Sequence, residues 1–160
     1  LTGYASMGYK AKSEDITSGS LDIIFDKDSF LPVFNTDLAG SKKEILIVSP
    51  FVRKRRSIQM LRHLRIALNK GIRTIVVTRP AEAFKAENRI ALQQVFEVLK
   101  NEGISVVFRS NIHQKFAIMD QKTVWYGSIN LLSYGSAQES IMRIESSNIA
   151  NELIKSIESP

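Results

Sequence analysis

Between His113 and Asn130 the chain reads H-Q-K-F-A-I-M-D-Q-K-T-V-W-Y-G-S-I-N. The side chains of His113, Lys115, Ser128 and Asn130 suit one kind of chemistry, the holding and processing of a phosphate group. An imidazole has an ordinary pKa near ~6.5, so it can be neutral before a reaction and still give or take a proton during it. The ammonium of Lys115 would neutralise a non-bridging phosphate oxygen, and the Asn130 amide would donate to another. Ser128 would add a hydroxyl. Donors of this kind act most strongly where charge builds up in the transition state.

These residues must be positioned by the elements around them. Phe116 to Met119 and Thr123 to Tyr126 are apolar runs separated by Asp120, Gln121 and Lys122, which is a hairpin signal. With Gln121 and Lys122 as the two turn residues, His113 faces Asn130 and Lys115 faces Ser128. Directly opposed residues share a face and lie close enough to interact, as do alternate residues of one strand. On this register Phe116, Ile118 and Trp125 face one way, and Ala117, Met119, Val124 and Tyr126 the other. Apolar side chains on both faces call for helices on both faces. Gly127, opposite Phe116, would let covering elements approach closely. Asp120 has the opposite parity to His113 and lies roughly 23 Å away at strand rise. It is too far to reach a phosphate bound at His113, and an Asp at a turn commonly bonds backbone amides. Its expected role is structural.

The pattern H-x-K-x4-D followed by x6-G-S-x-N is carried by His113, Lys115, Asp120, Gly127, Ser128 and Asn130, and it resembles the signature of the phospholipase D superfamily. Six fixed positions recur by chance at on the order of one start site in 10^7 to 10^8. The pattern from about Leu21 to the end is similar to the family's single-motif half. The resemblance implies that His113 attacks phosphorus to give a phosphohistidine, which water later resolves, without a metal or other cofactor. Family members carry a Glu shortly after the G-S-x-N segment. That implies Glu139 as the carboxylate that fixes the His113 tautomer and leaves the other ring nitrogen free to attack. The family's chemistry also uses two histidines from two motif copies, and this chain carries one copy. Single-motif members resolve this with a symmetric homodimer whose isologous interface joins two half-sites. A second motif in a longer parent chain is the other source.

The charge distribution points to a polyanion. The 160 residues carry a net charge of +6, and the segment from Phe51 to Arg73 holds eight Lys or Arg with no acid. Arg53, Lys54, Arg55, Arg56, Arg62 and Arg65 are the candidate nucleic-acid contacts, and binding through them should weaken steeply with salt. Their alternative is a solvated helix face. His63, on the same segment, is expected at the surface. There are no cysteines, and no second His or Cys ligand can be named near His113, so no metal site is expected.

Along the chain, residues 1–20 read as a linker or flexible arm and residues 21–160 as the catalytic domain. Strands are expected at Leu21 to Phe25, Glu44 to Ser49, Arg73 to Thr78, Ile104 to Phe108 and Glu139 to Ile144, besides the hairpin. Helices are expected from Asp28 or Ser29 to Ala39, Ser57 to Lys70, Glu82 to Lys100 and Asn148 to Ile157. The Ser57 helix would carry an apolar stripe of Ile58, Leu61, Leu64 and Leu68. The Glu82 helix would carry one of Ile90, Leu92, Val95, Phe96 and Leu99. Strands alternating with helices give an α/β domain with a mixed sheet sandwiched between helices. No apolar run is long enough for a membrane span, and no signal peptide is visible, which fits a cytoplasmic protein.

The resulting expectation is a metal-independent, homodimeric phosphodiesterase of the phospholipase D type that hydrolyses DNA or RNA. A second reading is a catalytically decayed nucleic-acid-binding and dimerisation module. The start at Leu1 and the linker-like first residues fit a C-terminal domain of a larger helicase or restriction protein under either reading. Lipid hydrolysis or phosphatidyl transfer ranks third, because Arg-rich loops suit polyanions.

Overall fold

The computed structural model describes residues 23–158, and the linker expected over residues 1–20 lies outside them. Its strands are β1 (Ile23–Asp26), β2 (Glu44–Val48), β3 (Arg73–Thr78), β4 (Ser105–Phe108), β5 (Phe116–Met119), β6 (Thr123–Gly127) and β7 (Ser140–Glu145). The helices are α1 (Phe30–Ala39), α2 (Lys54–Asn69), α3 (Arg89–Asn101) and α4 (Ser147–Glu158). All the strands join one sheet in the order β1-β7-β6-β5-β2-β3-β4. β2, β3 and β4 run parallel, and the remaining neighbours are antiparallel. This is the mixed α/β sheet that the sequence pattern anticipates.

β2 shows why the sheet needs two covers. Ile45 and Ile47 enter a core with Phe34, Leu61, Leu64 and Leu99 from α1, α2 and α3. Leu46 and Val48 enter a second core with Ala150 and Ile157 of α4. Burying each such side chain contributes about 1.5–3 kcal/mol relative to leaving it in water. No described helix is long and apolar enough to cross a membrane.

The hairpin register differs from the sequence expectation by one residue. Phe116 pairs with Tyr126, Ala117 with Trp125, Ile118 with Val124 and Met119 with Thr123. The turn therefore has three residues, Asp120, Gln121 and Lys122, and the first two have φ of 56°. Non-glycine residues rarely adopt this left-handed conformation, so no local signal announced the longer turn. A one-residue slip moves one strand's side chains to the opposite face. Accordingly Phe116, Ile118 and Val124 lie in the α4 core, while Ala117, Met119 and Trp125 lie in the other.

Two helix boundaries are also corrected. α2 begins at Lys54, not Ser57, with Arg53 extended at its N-cap. Ser57 resembles a cap in sequence, but it is buried within the helix and its hydroxyl approaches the Leu132 carbonyl at 3.5 Å. The buried stripe is Ser57, Met60, Leu61, Leu64 and Ala67, with Ile58 and Leu68 half-buried at its margins. The helix expected from Glu82 instead starts at Arg89, after 3₁₀ turns at Ala81–Ala83 and Ala86–Asn88. Ile90 is 71% exposed, because only Leu92, Val95, Phe96 and Leu99 fall on the face turned to the core.

α1 is fastened to β6 and β7 by a polar cluster under an aromatic group. The indole N–H of Trp125 donates to Asp37 Oδ2 at 2.8 Å. Arg143 donates to both oxygens of the same carboxylate, at 2.7 and 3.0 Å. These hydrogen bonds, with the charge of Asp37, push the Arg143 pKa further above its ordinary value despite partial burial. Phe25, Phe30 and Phe34 pack around the fully buried Trp125 ring. Replacing Asp37 with Ala should strand the Trp125 indole, leave Arg143 with Glu145 alone, and lower stability by about 3 kcal/mol. Urea unfolding of the Asp37→Ala chain would measure the shift.

Candidate active site

Antiparallel pairing of β5 with β2 places the entry to β5 beside the exit of β2, with Val48 opposite Phe116. β6 leaves the sheet at this edge, Tyr126 opposite Phe116. β7 enters there, with Ile141 opposite Gly127. His113 and Lys115 precede β5, Ser128 and Asn130 follow β6, and Glu139 precedes β7. The topology thus brings all five candidate residues to one edge of the sheet. β3 and β4 end at the same edge, which adds Arg79 and Arg109 immediately after them. Neither arginine was singled out from the sequence. Their position just past the carboxyl ends of parallel strands, where such sheets place ligand crevices, was the available signal.

The corrected register changes the neighbours inside this group. Lys115 lies across from Gly127, whose N–H donates to the Lys115 carbonyl at 3.4 Å, and not from Ser128. Nor does Gly127 face Phe116, which pairs with Tyr126. The close approach at Gly127 comes from β7. A Cβ built there would sit 2.7 Å from the Ile141 Cα and nearer still to the Ser140 carbonyl oxygen. Ser128 exchanges hydrogen bonds with Ser140 across that junction, its N–H donating at 2.9 Å and its hydroxyl accepting at 3.1 Å. Glu139 immediately precedes β7 and His113 lies three residues before β5, with β6 between those strands, a separation of about 10 Å between strand axes.

His113 is exposed, and the ammonium of Lys115 donates to its carbonyl oxygen at 3.0 Å. Asn130 accepts the Phe51 N–H at 3.4 Å through its side-chain oxygen, which directs the amide nitrogen away from that backbone. Ser49 strengthens the junction. Its hydroxyl accepts the Leu132 N–H at 3.2 Å and donates to the Phe51 carbonyl at 2.8 Å. The Arg53 N–H donates to the Leu132 carbonyl at 2.8 Å. The start of the basic segment is therefore bonded to the end of the motif through backbone groups.

The basic candidates divide into two sets. Arg53, Lys54 and Arg55 are exposed at the start of α2, at the motif edge. Arg56 is engaged elsewhere: its guanidinium lies 3.8 Å from the centre of the Tyr134 ring, and its Nε donates to the Tyr134 carbonyl at 2.7 Å. Arg65 pairs with Glu102 at 3.3 Å. Arg62 and Arg65 lie roughly 12–17 Å along the helix from its start. His63 is half-buried rather than fully solvated. Burial, then the nearby charge of Arg62, pushes its pKa down. Among the described residues no cluster of three or more His, Asp or Glu side chains is suited to a metal ion.

Asp120 lies at the opposite end of β5. Its carboxylate accepts the backbone N–H groups of Lys42, Lys43 and Glu44 at 2.8–3.2 Å. Burial raises the pKa of this carboxyl, but the Glu44, Lys43 and Lys42 amides, with Lys122, outweigh it and hold the value below the ordinary carboxylate range. The amide partners lie at the start of β2 and just before it, far from the turn in sequence.

Residues 35–159 match the model of the family described as cardiolipin synthase, PLD-like domain. No protein with a curated description matches the sequence. The fold is similar to that of Nuc from Salmonella typhimurium, a phospholipase D family member, at 18% identity and a TM-score of 0.68, over 87% of this chain and 92% of that one. It is also similar to NucT from Helicobacter pylori, at 13% identity and a TM-score of 0.64, over 87% and 94%. TrmBL2, an archaeal chromatin protein whose structure shows a novel mode of DNA binding, is similar at 14% identity and a TM-score of 0.59. That likeness spans 98% of this chain and 61% of TrmBL2.

Two predictions follow from the strand junctions. Gly127→Ala should force β7 from β6 and destabilise the chain by about 1–3 kcal/mol, read from the denaturation midpoint. Asp120→Ala should cost about 2 kcal/mol at neutral pH through loss of charge-assisted bonds. Because its folded pKa is depressed, the contribution of Asp120 is fully present above about pH 5 and is lost as pH falls through the folded value. The stability gap between wild type and Asp120→Ala should accordingly narrow in acid, measured by denaturation at a series of pH values.

Proposed function

The chain belongs to the phospholipase D-like domain family, and on that premise we propose that it is a metal-independent phosphodiesterase acting on DNA or RNA. The observation that carries this reading is the gathering of His113, Lys115, Ser128 and Asn130 at one sheet edge, beside the exposed cations of Arg53, Lys54 and Arg55. A phosphodiester held there has its non-bridging oxygens near the Lys115 ammonium and the Asn130 and Ser128 side chains. A ring nitrogen of neutral His113 attacks phosphorus, the bond to the leaving oxygen breaks, and a second imidazole supplies the proton that oxygen needs. Water then attacks the phosphohistidine, gives its proton back to the second imidazole, and frees His113. Glu139, which precedes β7 at the same end of the sheet, is the carboxylate assigned to set its tautomer.

The second imidazole must come from elsewhere. The sequence has two histidines, and the other, His63, lies in the middle of α2 with its pKa lowered by burial. A symmetric dimer that brings two such edges together supplies the missing group. A binding role without catalysis is the competing reading, supported by the likeness to a DNA-binding chromatin protein.

The test is cleavage of labelled single- and double-stranded DNA and RNA in EDTA. His113→Ala should reduce the rate by about 10^3-fold or more. Cleavage that requires a divalent ion, or that survives this substitution, would overturn the mechanism. No cleavage by wild type, with salt-sensitive binding retained, would favour the binding module. Co-refolding equal amounts of wild-type and His113→Ala chains discriminates the shared site. Activity should fall to about a quarter of that of the unmixed enzyme if both imidazoles are needed, against about half for independent subunits.

A further inference from the structure

We infer that the cleft beside Phe51 is a nucleobase-binding subsite, which makes single-stranded nucleic acid the substrate class. The inference rests on reading the motif edge as a site for nucleic-acid phosphodiesters, and it adds which form of nucleic acid that site takes. The cleft has a volume of about 750 Å³ and lies between the Phe51-to-Lys54 segment, the 3₁₀ turns after β3, and the first half of α3. Leu92 and Val95 line its apolar part, while Arg53, Lys54 and Lys85 bring cations to it, and no acidic side chain lines it. The volume is within the usual range for small-molecule pockets. Apolar walls beside uncompensated cations match a flat base attached to a phosphate chain.

Phe51 is the feature that identifies the ligand. The residue is 45% exposed, more than any other described aromatic residue. The ring is nevertheless held in place. It packs edge-to-face on Phe84, with centroids 6.0 Å apart and planes at 79°, and the Arg79 guanidinium lies 5.7 Å from its centre. The Arg79 Nε is buried without a hydrogen-bond partner. The backbone N–H of Phe51 donates to Asn130 Oδ1 at 3.4 Å. A strand whose phosphate rests against the motif thus has an adjacent base within reach of the ring. Bases stack on aromatic side chains without regard to sequence. A duplex keeps its bases paired and stacked, and it would have to extrude one to use the cleft.

The test compares two labelled strands of equal length, oligothymidylate and the same sugar–phosphate backbone without bases, by fluorescence anisotropy in EDTA at fixed salt. Measurements use the His113→Ala chain, so that nothing is cleaved during titration. Oligothymidylate should bind on the order of 10- to 100-fold more tightly than the baseless strand. Adding Phe51→Ala should bring the ratio to within about twofold, and Phe51→Trp should preserve it. The half-exposed side chain makes Phe51→Ala compatible with folding, and circular dichroism of both variants verifies this. Equal binding of the two strands by the Phe51-containing chain, or a ratio that survives Phe51→Ala, would overturn the subsite. Histidine-dependent cleavage without base preference removes the subsite and leaves the enzyme. Base preference in a chain that cleaves nothing removes the enzyme and leaves the subsite.

Discussion

The Asp120 carboxylate, bonded to the amides of Lys42, Lys43 and Glu44, ties the hairpin turn to the beginning of the central strand β2. This contact sets how β5 lies against β2, because Asp120 is the first residue past β5 and Glu44 is the first residue of β2. With that end anchored, four residues of β5 pair in register with β2 and bring Phe116 to Val48. The entry to β5 then meets the exit of β2, and His113 and Lys115 come beside Phe51 and Arg53. Asp120 lies at one end of β5, and His113 and Lys115 lie at the other. A carboxylate receiving three backbone donors suits this task, since charge-assisted bonds are short and directional.

The sheet's breadth depends on a second fixed point. Asp37 holds Trp125 and Arg143 from adjacent strands and joins them to α1. Both donors face the same side because Trp125 pairs with Arg143 across β6 and β7. The three-residue turn adds Ala117 of β5 to that row. Gly127 completes the arrangement, since any side chain there would meet the backbone of Ser140 and Ile141. The junction that carries Ser128 and leads into Glu139 is therefore held by backbone contact, which places polar side chains at the edge without burying them.

Charge is distributed more narrowly than the run of Lys and Arg indicates. Arg56 is stacked on Tyr134, and Arg65 is turned to Glu102. The cations left near the motif are Arg53, Lys54 and Arg55, joined by Arg79 and Arg109 from the ends of β3 and β4. Of these, Arg53 and Lys54 line the Phe51 cleft. A cluster of uncompensated cations of this kind raises the local concentration of anions.

Much was readable in the sequence because short-range patterns determine it. The β-branched runs specified β2 and β3, since a strand buried on both faces must be apolar throughout. The spacing of His113, Lys115, Ser128 and Asn130 around two apolar runs indicated a hairpin that gathers them at one end, and β5 and β6 form that hairpin. Three matters were settled only by the folded chain. The hairpin register turned on Asp120 and Gln121 accepting φ of 56°, a conformation that their residue types do not announce. The fates of Arg56 and Arg65 turned on partners 78 and 37 residues away. The Phe51 cleft arose from segments after β2 and β3 meeting α3, and no local pattern encodes such a meeting. Periodicity reports which face a side chain occupies, and only tertiary packing decides what that face meets.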